Sequence, residues 1–127
     1  MGRDEMINGS CHCGAVRIAA PRVPEWVGSC NCSLCRRTGW IGAYYPDGEV
    51  RIAGETVPYI WGDRMIGIHH CPVCACATHW LSLGEDLGRM GVNTRMLDGF
   101  EGAGGAAPGS VRIGGVEVEV RLQDNAG

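Results

Sequence analysis

Eight cysteines fall in three tight clusters, and that grouping constrains the fold more than any other feature of the chain. They read Cys11-His12-Cys13, Cys30-Asn31-Cys32-Ser33-Leu34-Cys35 and Cys71-Pro72-Val73-Cys74-Ala75-Cys76. A C-x-C pair puts two thiols on one bend of chain, too close in sequence to bridge each other comfortably, and a C-x-x-C pair wraps a knuckle around one ion. Two such pairs close one tetrahedral site, so the spacing reads as zinc.

An even number of cysteines at this density also suits a disulfide framework. Against it, Met1-Gly2-Arg3-Asp4-Glu5 is polar and charged and leads into no apolar run of signal-peptide length. The expected location is therefore a reducing cytoplasm, where thiols stay available to metal. The clusters also have ligand spacing rather than scattered spacing.

With 127 residues the chain is expected to form one domain, residues 1–127, with few large side chains for its core: one Phe, three Tyr and four Trp beside 21 Gly. Metal is expected to supplement packing. A net charge of -3, with no basic run longer than Arg36-Arg37, gives nucleic acid or an anionic membrane little to hold. No stretch has the apolar length of a spanning helix.

The pattern is strand and turn. Strands are expected at residues 15–19, 26–29, 40–45, 50–52, 57–61, 65–70 and 78–81, with turns at Pro46-Asp47-Gly48, Gly54-Glu55 and Gly62-Asp63; the spacing suits a β-meander. Residues 33–38 are expected as a turn of helix that carries Cys35 back toward Cys32, and residues 94–97 as a second, capped by Asn93. Residues 101–110 read as a loop, and 111–113 and 116–121 as a closing hairpin around Gly114-Gly115.

Three segments together carry a family likeness. Gly9-Ser10-Cys11-His12-Cys13-Gly14-Ala15-Val16, then Cys30-Asn31-Cys32-Ser33-Leu34-Cys35-Arg36-Arg37-Thr38-Gly39, then His70-Cys71-Pro72-Val73-Cys74 resemble the signature of the glutathione-dependent formaldehyde-activating enzymes, whose relatives include centromere protein V. The resemblance implies a mainly β, single β-tent domain of short antiparallel strands built around a structural zinc. It also implies which clusters share a metal: Cys11, Cys13, Cys71 and Cys74 around a closed structural zinc, and Cys30, Cys32 and Cys35 around a second, catalytic zinc with an open fourth position. Four thiolates leave an ion little Lewis acidity, whereas three protein ligands and an exchangeable position describe a catalytic site.

The implied activity is that of a carbon-sulfur lyase of the S-(hydroxymethyl)glutathione synthase type, adding glutathione or a related thiol to formaldehyde or another small carbonyl compound. Arg36 and Arg37, beside the open cluster, are candidates to offset its charge or to hold a glutathione carboxylate, or else form a solvated surface pair. The rival reading is a non-catalytic, zinc-supported module that binds a thiol or a partner.

Other residues have milder readings. His12, His69, His70 and His79 lie near the clusters, yet surface or hydrogen-bonded roles are expected over ligation. Trp40, Tyr44 and Tyr45 either wall a pocket beside the open cluster or, as expected of aromatics in a strand, belong to the core. Gly102-Ala103-Gly104-Gly105 lacks the context of a phosphate loop. After Cys74 the family often continues with Gly, where this chain has Ala75 and Cys76, and Cys76 is expected to be a small buried residue rather than a ligand or a reactive thiol.

Overall fold

The structure, a computed structural model, describes residues 4–62, 64–84, 88–102 and 109–123. The elements run β1 (Ile7–Ser10), β2 (Arg17–Ala20), β3 (Trp26–Cys30), α1 (Ser33–Thr38), β4 (Ile41–Pro46), β5 (Arg51–Ala53), β6 (Val57–Ile60), β7 (Ile66–His70), β8 (Ala77–Ser82), β9 (Arg89–Asn93), a 3-10 turn (Thr94–Met96), β10 (Gly109–Ile113) and β11 (Val116–Gln123). The fold is mainly β and of the expected β-tent kind. Within the expected loop at 101–110, residues 103–108 lie outside the described residues, as do Met1, Gly2, Arg3 and Asp63; β10 begins at Gly109.

Two strands had no clear signal in the sequence. β1 reads Ile-Asn-Gly-Ser and β9 reads Arg-Met-Gly-Val-Asn, each with a central glycine and no β-branched run. Pairing supplies what propensity lacks: β1 lies antiparallel to β2, and β9 between β4 and β8.

The strands form a three-stranded sheet, β1-β2-β5, and an eight-stranded sheet, β10-β11-β3-β4-β9-β8-β7-β6. β6 to β8 keep the order of the anticipated meander and β9 continues it, whereas β2 and β5 leave that run and pair with each other in the small sheet. The neighbours pair antiparallel, except that β11 lies parallel to β3, where the chain returns after crossing the molecule.

Side-chain alternation in β4 separates two environments. Ile41, Ala43 and Tyr45 enter the main core with Ile18 and Ile7 of the small sheet and Met90, Val92 and Val118 of the large one. Tyr44 points the other way, into a second cluster built on Trp40, Ile68 and Trp80. The aromatic run is therefore split: Tyr45 is core, its hydroxyl donating to Arg22 O at 2.8 Å, while Tyr44 stays half-buried. Trp80, Gly91 and Tyr44 stand in one row across β8, β9 and β4. A Cβ on Gly91 would collide with the Trp80 indole, so glycine there lets the indole lie flat and reach the Tyr44 ring, 6.0 Å between centroids.

Asn93 locks this region. It is buried, its Nδ2 donates to Ala77 O at 2.9 Å, and its Oδ1 accepts from Ile41 N at 3.4 Å and from Arg95 N at 3.3 Å. Thr94 adds a hydrogen bond to Ile41 O at 2.7 Å. Asn93→Ala removes a cap and orphans several buried backbone groups, so we expect a loss of about 2–3 kcal/mol in urea unfolding.

His79 is also buried, stacked on His69 with ring centroids 4.6 Å apart, and its Nδ1 is 2.9 Å from Thr78 Oγ1. Burial, and then the neighbouring His69, push its pKa down to about 4. Between the ordinary histidine value of about 6.5 and that lowered value, the unfolded chain binds the proton and the folded chain does not, so stability is complete above the window and falls as pH falls through it. Relative to His79→Gln, the native chain should lose up to about 1.4 kcal/mol more per pH unit across this range in urea titrations.

Candidate metal centres

Two distant turns build the first cluster. Cys11 and Cys13 lie between β1 and β2, Cys71 and Cys74 between β7 and β8. Their four Sγ atoms lie within 4.8 Å of one another, with Cys11 to Cys13 and Cys13 to Cys71 each 3.7 Å. Sulfurs at about 2.3 Å from a tetrahedral zinc stand about 3.8 Å apart, whereas a disulfide requires about 2.05 Å. The thiols are free and fit a metal ion of that size.

Backbone amides prepare the sulfurs for negative charge. Val16 N–H donates to Cys11 Sγ at 3.3 Å and Val73 N–H to Cys71 Sγ at 3.4 Å. The N–H groups of Cys76 and Cys13 hold the Cys74 thiol down to about 5. Thiolates so close repel one another, and a divalent cation removes that conflict.

The turn after Cys74 carries strain. Ala75 has φ 68°, its N–H bonded to Cys71 O at 2.9 Å, the position that Gly14 occupies (φ 83°) in the turn after Cys13. An L-residue there costs about 1–2 kcal/mol, of which glycine's greater unfolded freedom returns part. Ala75→Gly should raise the stability of the metal-loaded protein by up to about 1 kcal/mol, read from the urea midpoint.

Cys76 packs against the group of Cys11, Val16 and Cys71, not beside Cys30, Cys32 and Cys35. Among the described residues, neither cysteine cluster includes a histidine: His69 Nδ1 sits 2.9 Å from Thr56 Oγ1, and His12 is exposed.

The second cluster is local. Cys30 ends β3, Cys32 caps α1 and Cys35 lies in its first turn, so the three Sγ atoms fall within 4.8 Å of one another. Cys35 N–H donates to Cys32 Sγ at 3.3 Å and Cys32 N–H to Cys30 Sγ at 3.4 Å. Burial opposes charge on Cys32, but the Cys35 amide and the neighbouring thiols outweigh it and lower its pKa. Burial, then the hydrogen bond with Cys32 and the charges of Cys30 and Cys32, push Cys35 up. Gly39 closes the helix in the left-handed conformation, its N–H bonded to Cys35 O.

Two cavities flank this cluster, and Cys30, Cys35 and Trp40 line both. The first, of about 450 Å³, has Ser29, Asn31, Arg36 and Arg95 in its wall beside Trp40 and Ile41. The second, of about 280 Å³, is walled by Tyr44, Trp61, Ile66, Ile68 and Trp80, with Arg89 and Gln123 at its polar side. The Arg89 guanidinium lies over the Tyr44 ring at 4.5 Å, and Gln123 Nε2 donates to Tyr44 Oη at 3.2 Å.

The two adjacent arginines of the sequence part company. Arg36 faces the first cavity, whereas Arg37 turns back along α1 and donates to Ser33 O at 3.2 Å. Arg36 is joined instead by Arg95, whose Nε is buried with no hydrogen-bond partner among the described residues. Nothing in the sequence around Arg95, Trp61 or Trp80 marked them, since each reaches the cluster from a distant strand or turn.

A mainly β chain with a four-thiol cluster and, apart from it, a three-thiol cluster beside cavities is of the class of β domains whose cysteine clusters can hold metal ions. Residues 6–107 match the family model described as glutathione-dependent formaldehyde-activating enzyme, and the chain belongs to that family. It is 46% identical over 41 residues to a Halomonas elongata protein named "Putative glutathione-dependent formaldehyde-activating enzyme". That stretch spans 31% of this chain and 26% of the Halomonas protein. A crystal structure of a Rhodobacter sphaeroides protein is similar, with a TM-score of 0.63 and 31% identity over 72% of this chain and 88% of that one. No helix among the described residues is long and apolar enough to cross a membrane.

Proposed function

We propose that the protein is a zinc-dependent carbon-sulfur lyase of the cytoplasm that joins glutathione or a related thiol to formaldehyde or another small carbonyl compound at the cluster of Cys30, Cys32 and Cys35. The observation that carries this reading is the three-thiol cluster, which fits a metal and stands between two cavities, one with Arg36 and Arg95 in its wall and the other lined by aromatic rings. A zinc ion held there supplies positive charge that keeps a thiol deprotonated at neutral pH, and a coordination position for exchange.

The chain's own residues do the rest. Arg36 and Arg95 present guanidinium groups to the carboxylates of a peptide thiol and offset the negative charge that a fourth sulfur brings. The amides of Cys32 and Cys35 hold the ligand sulfurs in place. The Trp40, Tyr44, Trp61 and Trp80 walls keep water from the reacting carbonyl. The cluster of Cys11, Cys13, Cys71 and Cys74 has a different task, tying residues 58 positions apart and supporting the fold.

This division of labour is testable. Cys32→Ser should abolish accelerated exchange between glutathione and its hydroxymethyl adduct, followed by NMR because the addition also proceeds uncatalysed, and should leave the melting temperature nearly unchanged. Cys74→Ser should yield insoluble or unfolded chain, since a structural zinc contributes about 10–16 kcal/mol, as much as a whole domain's net stability. Mild chelation should strip the three-thiol cluster first. Equal destabilisation by both substitutions, or simultaneous loss of both ions with the fold, contradicts the division; tight glutathione binding without faster exchange favours the binding-module reading.

A further inference from the structure

Formaldehyde makes no use of the aromatic cavity. It has two heavy atoms and needs a space on the order of the ~30 Å³ that one water occupies. The cavity beside Cys30, Cys32 and Cys35 measures about 280 Å³. For scale, a dry apolar cavity of about 150 Å³ accepts benzene. A solvated floor for a hydrated C1 aldehyde has no use for four aromatic rings and two isoleucines, whereas ligand pockets with this lining take apolar bodies fixed by a few polar groups.

The thiol substrate does not account for the space either. Its carboxylates and amides match the other cavity, of about 450 Å³, where Arg36, Arg95, Asn31 and Ser29 gather. The two cavities share Cys30, Cys35 and Trp40, so a sulfur at the cluster stands at their junction. One seat holds two arginines, the other four aromatic rings with a single arginine. The fold also maintains the aromatic seat at some expense of side chains: Gly42 and Gly91 lack a Cβ where the Trp40 and Trp80 indoles lie.

Resting on the lyase reading above, we propose that the carbonyl partner is an aldehyde bearing an aromatic or branched apolar body rather than formaldehyde. The thiolate sulfur forms a bond to the carbonyl carbon, the C=O π pair moves onto oxygen, and that oxygen takes a proton from solvent to replace the one the thiol released. The product is a hemithioacetal, and no oxidant or reductant takes part. Trp61 is the specificity residue: it lies at the end of β6, stacks on Tyr59 with centroids 5.5 Å apart, and faces the cavity without belonging to the main core.

The test uses the full-length, zinc-loaded protein. Glutathione exchange is followed by NMR with phenylacetaldehyde, isovaleraldehyde and formaldehyde, and the binding of S-benzylglutathione and S-methylglutathione, which cannot react, is read from tryptophan fluorescence. We expect at least about tenfold higher kcat/KM for phenylacetaldehyde than for formaldehyde, and at least about tenfold tighter binding of the S-benzyl compound, because one or two buried methylenes already give discrimination of that order. Trp61→Ala should erase most of both preferences, and Trp61→Phe should keep most of them. Equal or better turnover of formaldehyde, or equal binding of the two thioethers, overturns the aryl-aldehyde proposal and leaves the lyase reading standing. Binding of both thioethers with no acceleration for any aldehyde overturns the lyase reading, and the proposal with it.

Discussion

Four thiols from turns of the two sheets lie within 4.8 Å of one another, close enough to share one ion. Cys11 and Cys13 belong to the turn of the small sheet, Cys71 and Cys74 to a turn of the large one, and the chain between them runs through β2 to β7. An unmetallated cluster of this kind is under electrostatic conflict, because the amides that favour thiolates act on sulfurs that repel one another. Binding a cation converts that conflict into a cross-link. A chain with few large side chains gains from it what a small apolar core supplies poorly.

The backbone accommodates the cluster at a cost. Ala75 is held at positive φ so that its N–H reaches Cys71 O, and the matching turn of the other pair uses Gly14. Lesser ties reinforce the junction of the sheets: Asp98 N–H donates to Asn8 O at 2.8 Å, and Gly9 bridges Leu97. Gly9 has no room for a Cβ against Met96 O, so the approach of β1 to this segment is as close as backbone permits.

The three-thiol cluster is built differently. Its sulfurs come from six consecutive residues, Cys30 to Cys35, on a strand end and a short helix capped by Cys32 and Gly39. What it borrows from the tertiary structure is its surroundings: Asn93 and Thr94 fix the segment that delivers Arg95, and the row Trp80, Gly91, Tyr44 delivers the aromatic wall.

Local information in the sequence determined a good deal. The spacing of the cysteines defined three ligand-spaced clusters, alternation located most strands, the need to bring Cys35 back toward Cys32 placed a helix at Ser33–Thr38, and the cap at Asn93 followed from short-range capping rules. Resemblance, not spacing, assigned the pairing of the first and third clusters, and the sulfur distances agree with it. What only the tertiary structure decided has a common physical cause: it depends on contacts between residues far apart in the chain. β1 and β9 are strands because their neighbours complete their hydrogen bonds, not because of their residues. Arg36 and Arg37 look equivalent in sequence, yet the helix turns them to different sides, and Arg95 joins only one of them. Tyr44 and Tyr45 are adjacent letters that the pleat sends to opposite faces, one into the core and the other to the cavity beside the cysteines.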